Sequence, residues 1–310
     1  MSLLAIPYNA AVVRALADGP KALVEMCREA GSAPQTTLRG YLRQLATAGI
    51  LEKRRDTQFP GAVVYELTEC GRDLLEVAGL LAMWLAIGPD DRIELGSPEA
   101  KHAIKAVVHG WSSSITRALA ARPLSLTELD SIISSLTYPS LERRLLAMRQ
   151  LGLLDAMSVG GRNTPYALTD WLRRSILPLA GATRWEHRHF PAQAVALTTQ
   201  DIEAAFLMSL PLVRLSDDLS GSCRVAVRRI RGQASELVGA MVKVESGNLT
   251  SCITRLEGTP SASAVGSTTA WFAAISSGDP RPLELGGDLC LAAEIVGGMH
   301  GALFGSYVRA

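Results

Sequence analysis

The sequence is poor in aromatic residues and cysteines, and it lacks the long apolar runs of membrane proteins. Aromatic residues make up 5% of the chain, and the five cysteines are scattered without a CxxC pair. Isolated cysteines in odd number are typical of reduced thiols in a cytosol, and they argue against a structural zinc site. The first residues lack the basic and apolar segments of a signal peptide, and no run reaches the roughly 18 apolar residues of a membrane span. We therefore expect a cytoplasmic protein with no metal and no membrane partner.

Sequence motifs of common enzyme classes are also missing. The chain has no P-loop, no HExxH and no GxSxG segment, which excludes the chemistries that these motifs provide. His187-Arg188-His189 has neither metal-ligand spacing nor acidic companions, and basic residues there more simply complement a helix C-terminus. A methyltransferase would need a doubly wound domain with a glycine-rich first turn, and residues 191–310 are too few for one. We expect no enzymatic activity and no cofactor.

Charge is nearly balanced overall but unevenly distributed along the chain. The net charge is +1, too small for a protein that coats nucleic acid without selectivity. Residues 98–190 contain twelve Lys and Arg against seven Asp and Glu, whereas residues 1–97 and 191–310 each sum to −2. Only the middle segment has the local basic excess that phosphate contact needs.

An internal repeat organises the first 190 residues. At an offset of 103, Arg14-Ala15-Leu16-Ala17 matches Arg117-Ala118-Leu119-Ala120, and Gly49-Ile50-Leu51 matches Gly152-Leu153-Leu154. Beyond these, the offset is 101, and the matched pairs are Tyr65-Glu66-Leu67-Thr68 with Tyr166-Ala167-Leu168-Thr169, and Trp84 with Trp185. The change of offset places a two-residue deletion between residues 154 and 166, where a loop would tolerate it.

Each copy predicts the same series of elements. In the first copy, two helices are followed by a third that Ser32 can cap, with Pro34 in its first turn and a buried stripe of Leu38, Leu42 and Leu45. Two β-prone runs, 50–55 and 63–67, predict a hairpin, after which Thr68 caps a closing helix. The second copy predicts helices near 99–121, 126–134 and 138–150, a hairpin around Gly160-Gly161 and a closing helix over 170–189.

Three helices, a hairpin and a closing helix are the plan of a winged helix-turn-helix. The second copy resembles the HxlR/MarR group of bacterial regulators through an ordered set of residues, namely Gly110-Trp111, Ile115-Thr116-Arg117-Ala118-Leu119, Pro123, Leu129, Ser140-Leu141, Arg144-Leu145, Leu151-Gly152-Leu153, Tyr166, Leu168-Thr169 and Trp185-Glu186. The first copy keeps Leu67-Thr68, Gly71-Arg72 and Leu74-Leu75. The resemblance implies a DNA-binding regulator. Members of the group usually carry one unit and dimerise, so two units in one chain imply a monomeric pseudo-dimer or a homodimer.

The third helix of each copy carries the residues expected to read DNA, because such a helix presents its N-terminal half to base edges in the major groove. The hairpins, or wings, would add basic contacts to phosphate. The predicted DNA-binding residues are Gln35, Thr36, Thr37, Arg39, Arg43, Lys53, Arg54 and Arg55 in the first copy, and Tyr138, Ser140, Arg143, Arg144 and Arg162 in the second.

Other interpretations of these residues stay open. Each predicted contact could belong to a solvated helix face or hairpin, and winged helices also serve as protein-contact modules. One unit alone could touch DNA, and the acidic balance of residues 1–97 favours the first copy as the one that has lost this role.

Residues 191–310 have a different character, with more Gly, Ser and Thr and an α+β pattern. Strands are predicted over 223–230, 236–244 and 249–256, and helices over 199–208, 268–277 and 289–304. This segment resembles the sterol-carrier-protein-like fold through Leu219-Ser220-Gly221, Ala264, Gly266, Trp271, Gly278-Asp279, Leu285, Gly287-Asp288 and Leu303-Phe304. The resemblance implies an apolar tunnel for a hydrophobic ligand, lined by Phe206, Leu212, Met241, Trp271, Phe272 and Met299. Each of these six could equally be an ordinary core residue.

The sequence thus predicts a mainly α protein with α+β parts. Its domains are two tandem winged helix-turn-helix units, residues 1–97 and 98–190, and an α+β sterol-carrier-like domain, residues 191–310. The expected function is sequence-specific DNA binding in transcription regulation, with double-stranded DNA as partner and a hydrophobic small molecule as effector. The alternative is a protein that sequesters or carries a small molecule and whose winged helices are scaffold.

Overall fold

The computed structural model describes residues 1–30, 34–55, 63–89, 92–108, 110–157, 164–231 and 234–304. These residues form two compact units, one of residues 1–109 with 177–194 and one of residues 110–176 with 195–310. Both units mix helices with β-strands. The three domains inferred from the repeat follow another criterion, sequence similarity, and that division stays a prediction.

Residues 1–190 contain ten helices and five strands in their described part. In chain order they are α1 (Pro7–Ala15), β1 (Lys21–Ala22), α2 (Leu23–Glu29), α3 (Gln35–Thr47), β2 (Leu51–Arg55), β3 (Val63–Leu67), α4 (Glu69–Ala86), α5 (Pro98–Val108), α6 (Gly110–Ala121), α7 (Leu126–Ile132), α8 (Tyr138–Gln150), β4 (Leu154–Ala156), β5 (Tyr166–Leu168), α9 (Asp170–Arg174) and α10 (Ile176–His189). A short 3-10 turn over Leu16–Asp18 follows α1.

Helix α3 is held to its unit by one apolar stripe. Leu38, Leu42 and Leu45 are buried, and their i, i+4, i+7 spacing places them on one side of the helix. The helix begins at Gln35, later than the sequence suggested, because Pro34 adopts an extended conformation with ψ of 134°. Ser32, the predicted cap, lies outside the described residues. Gly49 ends the segment with a positive φ of 70°, a conformation that favours glycine.

The strand pairings of the two copies coincide at the offsets found in the sequence. Leu51 pairs with Leu67 in the first copy, and Leu154 pairs with Leu168 in the second. The short strand β1 places Lys21 opposite Tyr65, and an isolated bridge places Leu124 opposite Tyr166. From the first copy to the second, the residue number of the first partner rises by 103 and that of the second partner by 101. The two-residue deletion in the second copy therefore lies in the hairpin between the paired strands.

A threonine hydroxyl fixes the start of the closing helix in the same way in both copies. Thr68 Oγ1 donates to the Gly49 carbonyl (2.6 Å) and accepts from the Gly71 N–H (3.1 Å). Thr169 Oγ1 donates to the Gly152 carbonyl (2.9 Å) and accepts from the Leu172 N–H (3.2 Å). Each hydroxyl therefore caps its helix and ties it to the turn that follows α3 or α8.

We expect Thr68→Ala and Thr169→Ala each to lower the free energy of unfolding by about 1 kcal/mol, the usual effect of losing an N-cap hydroxyl. Denaturant unfolding of the single variants measures both effects. Thr68→Ser and Thr169→Ser keep the hydroxyl and serve as matched controls with smaller losses. A full effect at one position and none at the other would show that the two caps are not equivalent.

The closing segment of the second copy is broken where one helix was predicted over 170–189. Helix α9 ends at Arg174, and Ser175 separates it from α10. Pro178 explains the break, because it has no N–H to donate to the carbonyl four residues earlier and its ring clashes there. The first copy has no proline in α4, which continues for 18 residues.

Helix α10 packs against α4 within the first unit. The Trp185 indole donates from Nε1 to the carbonyl of Cys70 (2.9 Å). The Arg188 guanidinium contacts Glu69 (2.7 Å) and Asp73 (2.8 Å), and His189 Nε2 is 2.8 Å from the same Asp73 carboxylate. The closing helices of the two copies are thus joined by a hydrogen bond from a side chain to the backbone and by a small charge cluster.

Residues 195–304 form a five-stranded sheet with helices against one face. The elements are α11 (Thr199–Ser209), β6 (Gly221–Arg231), β7 (Ala234–Glu245), β8 (Asn248–Ile253), β9 (Ala262–Gly266), α12 (Thr268–Ser277), β10 (Glu284–Gly287) and α13 (Leu289–Phe304). The strand order is β10-β9-β6-β7-β8, and β9 is parallel to β6 whereas the other neighbours are antiparallel. Two of the five strands, β9 and β10, were missed by the sequence analysis because they are short and rich in Ala, Gly and Ser.

Alternation along the strands determines which face is buried. Val225 and Val227 on β6 and Ala240 and Val242 on β7 belong to one core with the buried residues of α11, α12 and α13. Gly239 lies in close contact with β6, since a Cβ there would be 2.0 Å from the Val225 carbonyl oxygen. No helix in the described part of the chain is both long and apolar enough to cross a membrane.

Candidate nucleic-acid interface

Helix α3 presents a fully exposed polar face opposite its leucine stripe. All five residues predicted to contact DNA on this helix are exposed, namely Gln35, Thr36, Thr37, Arg39 and Arg43. Gly40 lies between the two arginines, and open space surrounds the position where its Cβ would be. Gln44 is also exposed on this face, one helical turn after Gly40. It was not among the predicted DNA-binding residues, although its i+4 spacing from Gly40 indicates that it shares the face. The face contains no acidic residue.

The charges of this face are available to a ligand. Among the described residues, neither Arg39 nor Arg43 forms an ion pair within the protein. The N-cap residue Pro34 makes no side-chain cap, and no described residue caps the first backbone N–H groups of α3 with a side chain. Uncapped N–H groups at a helix N-terminus favour anions such as phosphate. The side chains predicted to read bases thus lie at a helix terminus whose N-cap residue makes no side-chain hydrogen bond.

The hairpin of β2 and β3 follows α3 in the sequence and carries three basic residues, all of which are exposed. Lys53, Arg54 and Arg55 follow one another along β2. Arg54 is paired with Glu66 of β3 (2.9 Å), which lowers its availability to phosphate. Lys53 and Arg55 form no ion pair with any described residue. The hairpin therefore keeps two cations that can contact phosphate.

Helix α8 of the second copy offers a less complete face. Tyr138 and Arg143 are exposed, whereas Ser140 and Arg144 are half-buried, beside the buried stripe of Leu141, Leu145 and Met148. Strand β4 carries an exposed acid, Asp155, which corresponds to the exposed Glu52 of β2, and β4 ends at Ala156 without a counterpart of the basic run 53–55. Arg162, the predicted wing residue, lies outside the described residues.

The basic excess of residues 98–190 is largely engaged in contacts inside the protein. Arg117 pairs with Asp201 (2.7 Å), Arg122 with Glu128 (2.9 Å), and Arg188 with two acids of α4. Arg173 donates to the Leu207 carbonyl (2.7 Å), and burial lowers its pKa. Among the described residues, the net charge of a segment therefore does not indicate how many of its cations lack an ion pair.

The predicted ligand-binding residues of the third segment do not converge on one described cavity. Phe206 and Trp271 pack edge to face with ring centroids 5.0 Å apart, in the same core as Met299. The Trp271 indole donates to the Ala226 carbonyl (2.8 Å). Met241 faces away from this core, because the neighbouring residues Ala240 and Val242 point into it. Leu212 and Phe272 are half-buried, and the ligand role of all six stays a prediction.

The five cysteines form no disulfide bond, and burial makes two of the thiols unreactive. All five are free. Burial raises the pKa of both Cys223 and Cys252 to about 12, so neither thiol ionises near neutral pH. Cys290 is exposed. No group of three or more His, Cys, Asp or Glu suited to a metal occurs in the described ranges.

Comparison with known proteins identifies the segment that contains this face. The model of the HxlR-like helix-turn-helix family matches residues 4–88, which run from the segment before α1 to the end of α4. A search of curated proteins finds no match for the chain. The match includes α3 and the basic hairpin, and it covers less than a third of the sequence. Residues 4–88 are thus similar to the HxlR-like helix-turn-helix, which supports an HxlR-type DNA-binding regulator.

Proposed function

We propose that this protein is a sequence-specific DNA-binding transcriptional regulator, in which α3 enters the major groove and the β2–β3 hairpin contacts the adjacent backbone. One observation carries the proposal. An exposed, acid-free helix face with two unpaired arginines lies in the segment that matches an HxlR-like helix-turn-helix. Arginine pairs with guanine edges and glutamine with adenine edges, so Arg39, Arg43 and Gln35 suit direct readout.

We further propose that the second copy is a second winged helix-turn-helix unit. The recurring strand pairings and the equivalent threonine caps support this, because they link corresponding residues in both copies. The packing of α10 on α4 supports an intramolecular pseudo-dimer, since the contact joins the closing helices of the two copies. In this proposal the first copy of the repeat makes most of the base contacts, and Arg143 of α8 adds a contact from the second copy.

The proposal assigns residues 191–310 to a sterol-carrier-like domain that responds to an effector. Its support is the five-stranded sheet with helices packed on one face, an α+β arrangement of the expected kind. A cytoplasmic location accords with the free cysteines. The carrier alternative makes the opposite prediction about DNA, so one experiment separates the two.

That experiment is selection of duplexes from a random-sequence pool by the full-length protein, followed by affinity measurement at several salt concentrations. We expect enrichment of a defined sequence and an affinity that falls with salt. Each phosphate neutralised contributes about −0.9 to the slope of log K against log salt. Contacts by Lys53, Arg55 and the α3 terminus would give a slope of about −2 or steeper. No enriched sequence would favour the carrier.

Gly40 provides a test that separates DNA binding from stability. Gly40→Ala should raise the free energy of unfolding by about 0.5–1 kcal/mol, because alanine is the better helix former and no atom obstructs its methyl group. The same methyl group would meet DNA that approaches the helix backbone, so affinity for the selected duplex should fall about tenfold. Denaturant unfolding and fluorescence anisotropy measure the two effects.

Gly79→Ala is the matched control, since Gly79 is also exposed in a helix interior with open space at its Cβ position. It should stabilise to the same degree and leave DNA affinity unchanged. Equal DNA affinity for the Gly40 and Gly79 variants would show that no duplex approaches this part of α3.

A further inference from the structure

A cleft in the second unit lies among α6, α7, α11 and the turn that leads from α7 to α8. Its volume is about 380 Å³, within the roughly 300–1,000 Å³ usual for small-molecule sites. It is separate from the apolar core of the sheet, where the sequence analysis placed the ligand. The lining includes both apolar and ionisable side chains, so its chemistry can be derived.

The ionisable groups of the lining leave one negative charge unmatched. Arg117 of α6 is neutralised by Asp201, with Nη2 and Oδ1 2.7 Å apart. Glu203 lies one turn of α11 away from Gln200 in the lining, and it has no hydrogen-bond or ionic partner among the described residues. Partial burial raises the pKa of the Glu203 carboxyl, as expected for a carboxylate that has lost water without gaining a cation. A cationic group would supply the missing partner.

The rest of the lining is suited to an apolar body. Ala204 and Leu207 of α11 and Ile133 after α7 are buried at the cleft. Ile132 also lines it, and 56% of this side chain is exposed, a large apolar surface left open to water. A ligand that covered Ile132 would remove that surface from water at a favourable free energy.

We propose that this cleft binds a small organic ammonium compound, whose cation pairs with Glu203 and whose apolar part covers Ile132 and Leu207. We propose also that binding changes DNA affinity, a step that rests on the function proposed above. Ile133, Ser134 and Ser135 line the cleft, and α8 begins only three residues after Ser135. A ligand held against this turn would bias the position at which α8 starts, provided that it binds the DNA-free and DNA-bound conformations differently.

Calorimetric titration of the full-length protein with two matched probes tests the site. Phenethylammonium carries the proposed cation, and 3-phenylpropionate presents a carboxylate on the same aromatic body. We expect saturable binding of the ammonium probe and none of the carboxylate. Glu203→Gln keeps the shape of the side chain and should weaken the ammonium probe about tenfold or more, whereas Glu294→Gln, at an exposed position of α13, should leave it unchanged.

Ser134→Trp provides a second variant, since Ser134 is exposed and an indole there would fill the cleft without entering the core. It should abolish binding of the ammonium probe. No binding by the wild-type protein, or equal binding by the wild-type, Glu203 and Ser134 proteins, would overturn the site.

The regulatory step is measured separately, by anisotropy with the selected duplex in the presence of each probe. We expect saturating phenethylammonium to shift the DNA dissociation constant at least threefold and the Glu203→Gln protein to lose this shift. Probe binding with no shift would overturn the regulatory step and leave the site intact. Failure of the protein to bind any duplex without a probe would instead overturn the proposed function.

Discussion

Arg39→Ala/Arg43→Ala should lower affinity for the selected duplex about 30-fold or more, with no change in fold. Both side chains are exposed on α3 and form no ion pair with a described residue, so their removal leaves the core of the first unit untouched. A bidentate contact between arginine and guanine is worth about 1–3 kcal/mol, and each 1.4 kcal/mol changes affinity tenfold. Fluorescence anisotropy at one fixed salt concentration measures the loss, and circular dichroism checks the fold.

Arg255→Ala is the control for a loss of charge elsewhere in the chain, although it removes one positive charge where the double variant removes two. Its side chain is 76% exposed and lies after the sheet strand β8, outside both helix-turn-helix segments. It should change DNA affinity less than twofold. A comparable loss in the Arg255 variant would mean that overall charge, and not the α3 face, determines binding.

Trp271→Ala should lower the free energy of unfolding of the C-terminal sheet by about 3–5 kcal/mol, the usual effect of removing a large aromatic side chain from a core. The Trp271 ring packs against Phe206, and its indole N–H donates to the Ala226 carbonyl. The substitution would leave a cavity and would remove one buried hydrogen bond to the Ala226 carbonyl. Denaturant unfolding followed by circular dichroism measures the change.

Leu289→Ala is the control, because Leu289 is a large apolar residue of the same unit that is 58% exposed. Its effect on the free energy of unfolding should stay within about 0.5 kcal/mol.

The Trp271 result also bears on the prediction that this residue lines a ligand tunnel. Truncating a tryptophan that lined an open tunnel would lower the free energy of unfolding far less. A loss below about 1 kcal/mol would therefore contradict a packed core at this position.

Local sequence signals predicted most elements of the first 190 residues because repeated short-range patterns specify them, but the helices predicted over 99–121 and 170–189 are each two helices in the structure. The offsets of 103 and 101 correspond to observed strand pairs, since Leu51 and Leu67 are matched by Leu154 and Leu168. In the C-terminal segment, helices α12 and α13 have the predicted bounds, 268–277 and 289–304. Apolar periodicity and capping residues were sufficient in both cases.

Features that depend on tertiary contacts could not be predicted in this way. Strand β9 consists of five small or medium residues, Ala262–Gly266, and becomes a strand only by pairing with β6 and β10. The break at Ser175 is a different case, because it follows from Pro178, a local signal that predicts an interruption of the helix over 170–189.

The candidate interface shows the same division between local and long-range signals. The exposed side of α3 followed from the spacing of Leu38, Leu42 and Leu45, so its arginines could be named in advance. The availability of each cation depended on partners far along the chain. Arg117 and Asp201, 84 residues apart in sequence, form an ion pair that segment charges cannot reveal. The cleft beside Glu203 was missed for the same reason.

The base preference of the Arg39→Ala protein tests direct readout by α3 most directly. Affinities of the wild-type and variant proteins are compared for every single-base substitution of the selected duplex. We predict that the variant loses discrimination at one or two adjacent base pairs and keeps it elsewhere, because a side chain that reads a base edge affects only its own position. Uniform weakening at all positions, with every preference retained, would contradict the account.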